Sequence, residues 1–244
     1  MDREGAARFD TTHWSLIAAL PSRGGGAEAG RAREALEYLC EAYWRPLYVF
    51  ARYSGHGAED ARDLTQAFLA RVIETGGLGG ADPDRGRFRS YLLGAMKHFM
   101  ANARERARAG KRGGGQRFVQ GDIAEMESRI AGETTTPADA DRAFDRDWAR
   151  ETTSAALRRL ESDWAGRGRG GQFEALRATL TGEGPARSEL AGQLGMSENA
   201  VAVSIHRLRQ RYAALVREAV ARTVADEADI EDEMRHLVDV LRES

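Results

Sequence analysis

The 244-residue sequence predicts an all-α fold of two small helical domains joined by a flexible linker. Three observations predict it. Apolar residues recur in steps of three and four, and alternating β-branched runs are missing. The glycines gather in clusters at 24–26, 76–80, 113–115 and 166–171, which cut the chain into helical blocks. Between residues 113 and 143 periodicity fades and apolar anchors are few, the composition of a linker.

Each element follows in order. Thr11–Leu20 carries Trp14, Ile17 and Ala18 at helical spacing and is closed by Pro21. Leu36, Leu39, Tyr43, Leu47 and Phe50 form one apolar helix face, expected to kink or break near Pro46. Leu64, Phe68 and Val72 mark a second amphipathic helix after the turn at Gly55 and Gly57. A third runs from about Phe88 to Arg108, with Tyr91, Leu92, Ala95, Phe99 and Met100 as its apolar residues. A second helical unit starts near Phe144 and continues, past a glycine-rich interruption at 166–171, to Val224. The predicted organisation is an extension (1–30), a first domain (31–112), an acidic linker (113–143), a second domain (144–224) and an acidic helical tail (225–244).

Composition excludes several classes. The single cysteine, Cys40, rules out an internal disulfide and a Cys-rich zinc site, and fits a reducing compartment. Apolar runs fall short of the ~18 residues a membrane span needs, so no membrane insertion is expected. The start, MDREGAARFD, is not a secretory signal, and a cytoplasmic location is expected.

The net charge of −2 hides strong local blocks. Residues 85–112 hold nine basic residues against the one acid Glu105, a net +8. Residues 200–222 carry +4, while 121–151 carry −5 and 225–244 carry −6. Ordinary solvated helices alternate sign to gain neighbouring ion pairs. The +8 block does not, and such density is the electrostatic footprint of phosphate binding.

Two constellations stand out. In Arg187–Arg209 a short helix with Leu190, Ala191 and Leu194 meets a Gly195-Met196-Ser197 turn. A second helix follows with Val201, Ile205 and Leu208 on its inner face. Gly195 suits a left-handed turn and Ser197 suits a cap, the pattern of a helix-turn-helix set against an ordinary helical hairpin. Ser197, Asn199, Ala200, Ala202, Val203 and His206 lie near the helix start, and Arg207, Arg209 and Arg211 suit phosphate contacts. The other constellation is Glu59-Asp60-Ala-Arg-Asp63-Leu-Thr-Gln66-Ala-Phe68, either a capped surface helix or a polar docking face.

Other signals are rejected. Gly110-Lys111-Arg112 lacks the Ser or Thr of a phosphate loop, and Glu233-x-x-His236 lacks the second pair that a bundle metal site needs. No cofactor is expected, and no catalytic grouping is visible, so the chain is not expected to be an enzyme.

These two stretches, in this order, resemble the extracytoplasmic-function (ECF) sigma factor family of bacterial RNA polymerase initiation factors. A further stretch, Asp82 to Asn102, adds to the similarity, which covers roughly 31–112 (region 2) and 144–222 (region 4). The Thr12-His13-Trp14 start and the acidic tail resemble a subgroup with a C-terminal extension. The resemblance implies that Asp60, Asp63, Gln66 and Phe68 dock on the clamp coiled coil of the largest subunit of core RNA polymerase. It implies that Arg87, Phe88, Arg89, Lys97, His98, Asn102 and Arg104 recognise and melt the −10 element of promoter DNA. Phe88 and Tyr91 are the aromatics near that segment, and Tyr91 is assigned rather to the helix's inner face. It implies that the 197–211 residues named above read the −35 element, although Asn199 and Ala200 stand where the family usually has Gly-Thr. An anti-sigma factor or a regulatory kinase is a candidate further partner. A stand-alone helix-turn-helix regulator is the alternative. The −6 tail is suited to shielding a basic DNA face, in which case its removal strengthens promoter binding.

Overall fold

A computed structural model of the chain describes residues 27–74, 87–108, 123–130, 137–224 and 226–243. Their fold is all-α. The α-helices are α1 (Ala27–Tyr53), α2 (Ala58–Glu74), α3 (Phe88–Arg108), α4 (Ile123–Ile130), α5 (Pro137–Ala165), α6 (Gly170–Arg177), α7 (Arg187–Leu194), α8 (Glu198–Ala221) and α9 (Ile230–Arg242). Short 3-10 turns cover Ala178–Leu180 and Glu227–Asp229. The expected Thr11–Leu20 helix and the Thr12–Trp14 signature lie outside the described residues. Among the described residues no helix is long and apolar enough to cross a membrane.

The chain divides into two compact units, Met1–Glu151 with Ala221–Ser244, and Thr152–Val220. In the first, the aromatic face read along α1 becomes the core. Tyr43 meets Phe88 of α3 edge-on at 5.2 Å and stacks with Phe144 of α5 at 6.3 Å. Phe68 of α2 packs on Phe99 of α3 at 5.6 Å. Aromatic contacts of this kind add about 0.5–1.5 kcal/mol each beyond the area they bury. Of the kink or break expected near Pro46, the break does not occur: helix α1 runs on past Pro46. Pro46 and its neighbours Tyr43, Leu47 and Phe50 are all buried, and this packing outweighs one lost main-chain hydrogen bond.

Three boundaries differ from the sequence reading. Phe144 and Trp148 are buried in the first unit, so the division falls after Glu151 rather than at 144. Ile123–Ile130, expected to be part of a structureless linker, is helix α4. Met126 and Ile130 are buried, and Glu127 accepts hydrogen bonds from Tyr48 Oη (2.6 Å), Arg52 Nε (2.7 Å) and Arg52 Nη2 (2.8 Å). The tail also belongs to the first unit. Val224, Ile230 and Leu237 are buried, and Phe88 N donates to the Thr223 carbonyl at 3.4 Å.

The second unit packs Ala156 and Leu160 of α5, Phe173 and Leu176 of α6, Leu190 of α7 and the inner face of α8. The glycine-rich interruption is a closed turn rather than a loose loop. Gly168 takes φ +70°, and Gly166, Gly168 and Arg169 donate main-chain bonds to Ser162, Ala165 and Trp164.

Candidate nucleic-acid and partner-binding surfaces

In the second unit, α7 ends at Gly195, whose φ of 63° is the left-handed cap that a side chain would strain. The Ser197 hydroxyl accepts from Ala200 N at 3.3 Å and caps α8, while Val201 N donates to the Ser197 carbonyl at 3.0 Å. Leu190, Val201 and Leu208 are fully buried and fix the hairpin from within. The opposite side of the first two turns of α8 faces outward. Asn199, Val203, His206 and Arg207 are exposed, and Ala200 and Ala202 are half-buried. Val203, 44% exposed, is among the most open large apolar side chains of the described residues.

The remaining two arginines do structural work. Arg209 donates Nε and Nη2 to the Thr179 carbonyl at 3.2 and 2.5 Å. Arg211 pairs with Asp163 at 2.9 Å and Glu218 at 3.3 Å. The hydrogen bond from Arg211 holds the Asp163 carboxyl below its ordinary range. Each of the two thus commits part of its five-donor guanidinium within the unit, while Arg209 stays exposed and Arg211 half-buried at the surface. Gln172, which the sequence reading overlooked, donates to Ser204 Oγ at 3.4 Å and ties α6 to α8.

On α2, in the first unit, Glu59, Asp60 and Asp63 are exposed and Gln66 is half-buried. Phe68 is 3% exposed and packed on Phe99, so it supports the helix from inside instead of presenting itself to a partner. Helical spacing explains part of this: Phe68 and Val72 share the buried side with Ala61, Thr65 and Leu69, and Asp63 lies opposite it, whereas Asp60, one turn before half-buried Leu64, is exposed in the helix's first turn.

On α3 the candidates separate sharply. Phe88 is wholly buried against Tyr43, which removes it as an exposed stacking surface. Arg87 pairs with Glu233 Oε2 at 2.9 Å. Arg89 is buried, donates to Glu233 Oε1 at 3.0 Å, pairs with Asp145, and lies over the Trp148 ring at 5.0 Å. Burial alone would lower the Arg89 pKa, but Glu233 and Asp145 outweigh it and the guanidinium is held charged. Lys97 pairs with Asp141 at 2.7 Å at the surface. His98 and Asn102 are exposed, and the Arg104 side chain lies outside the described residues. Tyr91 is half-buried, and burial raises its pKa. The sequence reading missed Asp145 and Glu233 as partners of the basic block, since pairs 56 and 144 residues apart leave no local spacing to read.

Among the described residues no three His, Cys, Asp or Glu side chains are grouped to hold a metal ion. Compared with protein-family models, with curated proteins and with solved structures, the chain matches none.

Proposed function

We propose that the chain is an ECF-type sigma factor that binds core RNA polymerase and directs promoter-specific initiation. In this reading the acidic face of α2 docks on the polymerase, α3 contributes to promoter opening, and the start of α8 enters a major groove. The chemistry of nucleotide addition belongs to the polymerase, and this chain supplies recognition. The observation that carries the reading is the outward face of α8, where Asn199, Val203, His206 and Arg207 are exposed on a helix anchored by buried Val201 and Leu208. That arrangement presents hydrogen-bonding, apolar and cationic groups together, which direct base readout and phosphate positioning require. The ordered sequence motifs on α2, α3 and α7–α8 support the same family.

A stand-alone helix-turn-helix regulator is favoured by one observation: Arg87 and Arg89 are already paired with Glu233 and Asp145, while Arg207 at the start of α8 is exposed. Co-purification separates the two. A sigma factor associates with core polymerase and supports run-off transcription, whereas a free-standing regulator binds DNA but does neither.

A further inference from the structure

Glu233 is an acid on α9 with its side chain 1% exposed. A lone carboxylate is not buried without compensation, because its hydration is lost. Here the compensation comes from two guanidinium groups of the +8 stretch. Arg89 Nε lies 3.0 Å from Oε1, and Arg87 Nε lies 2.9 Å from Oε2. Arg89 thus donates a hydrogen bond to one oxygen, while Arg87 pairs by charge alone with the other, which accepts no hydrogen bond; two guanidinium groups face one anion, as arginines face a nucleic-acid phosphate. The apolar face of α9, with Ile230, Leu237 and Val240 buried, presses the carboxylate into place. His236, one turn on, sits 5.9 Å from the Trp148 ring on which Arg89 also lies. With α9 seated, the Arg89 side chain is 7% exposed and cannot reach a phosphate. Release of α9 would take Glu233 from both arginines and leave Asp145 beside Arg89.

We propose that α9 is a built-in competitor for nucleic acid: Glu233 occupies Arg87 and Arg89 as a backbone phosphate would, and α9 must let go before α3 grips DNA. The inference rests on the proposed DNA-binding role of α3 and supplies its regulation. Strand phosphates and Glu233 are alternative ligands of the same two arginines, so each state excludes the other.

The test uses the full chain and a fluorescein-labelled DNA duplex of random sequence, followed by anisotropy across a salt series. Glu233→Gln is expected to raise affinity about five- to tenfold and to steepen the log–log salt slope by about 1–2, the value for one or two added phosphate contacts. Leu237→Ser, which unseats α9 without changing charge, is expected to give the same gain and covers the case in which neutralising Glu233 disturbs folding. Arg87→Ala in the Glu233→Gln background should erase most of the gain. Unchanged affinity and slope in both folded variants, or a gain that survives Arg87→Ala, overturns the proposal. A parallel pull-down with core polymerase keeps the two readings apart. A DNA gain without polymerase association leaves the competitor standing and removes the sigma reading, and association without a gain does the reverse.

Discussion

Arg209 Nε and Nη2 both donate to the main-chain carbonyl of Thr179, so this arginine ties α8 to the 3-10 turn that precedes α7. Arg207, two residues earlier, is exposed. The two cations should therefore separate by experiment. Arg207→Ala is predicted to weaken DNA binding and to reduce the salt slope by about 0.9, with the thermal midpoint unchanged. Arg209→Ala is predicted to cost about 1 kcal/mol of stability through the lost bond to Thr179. Thermal melts beside salt-dependent anisotropy check both, and equal effects on binding with no stability difference would contradict the assignment.

The acidic face of α2 yields a second prediction. Asp63 is exposed, and Asp63→Arg should change stability by no more than about 0.5 kcal/mol while abolishing association with core polymerase. Phe68→Ala is expected to cost about 3–5 kcal/mol, because Phe68 is packed on Phe99 in the core. Chemical denaturation paired with a polymerase pull-down distinguishes a lost surface from a lost fold.

Two glycines near the α7–α8 hairpin should differ in how they respond to alanine. At Gly195 a Cβ meets open space, so only the left-handed backbone opposes it, at about 1 kcal/mol. At Gly184 a Cβ would lie 2.6 Å from Thr179 Cγ2 and 2.9 Å from Thr179 N, which forces main chain to move. Gly184→Ala is predicted to be the more damaging, at about 1–3 kcal/mol. Denaturation midpoints give the order, and a reversed order would count against this packing.

The α4 anchor makes a prediction in pH. The bonds from Arg52, ahead of that from Tyr48, hold the Glu127 carboxyl below its ordinary value. A depressed carboxyl contributes stability that is present above its unfolded pKa, near ~4.3, and is lost as pH falls through the lower folded value. Tyr48 is pushed up to about 12, first by burial and then by its bond to Glu127. Its contribution is present below its unfolded pKa of ~10 and is lost as pH rises through the folded value. The stability advantage of the native chain over Glu127→Gln should shrink as pH is lowered below ~4. Thermal melts across that window check it, and an advantage independent of pH would exclude the ionised Glu127 anchor.

The all-α class and the inner faces of α1, α2, α3 and α8 were legible because helical periodicity is a local signal. Ser197 as a cap and Gly195 as a left-handed turn were legible for the same reason. Contacts between distant segments were not. The α4 stretch did carry a local signal, with Ile123, Met126 and Ile130 at steps of three and four, but it is only eight residues long among glycines and threonines; what holds it, Tyr48 and Arg52 of α1 on Glu127, is visible only in the fold. Arg89 read as an outward cation because its partners Asp145 and Glu233 stand on other helices. The resemblance alone assigns Phe88 to the −10 segment, and only the fold brings Tyr43 over it.

The sigma reading stands or falls on association with core RNA polymerase. Purified chain mixed with bacterial core enzyme at moderate salt should form a stoichiometric complex by size-exclusion chromatography, and Asp63→Arg should elute apart from it. A native chain that elutes entirely free of core enzyme would contradict the reading and leave a free-standing DNA-binding regulator in its place.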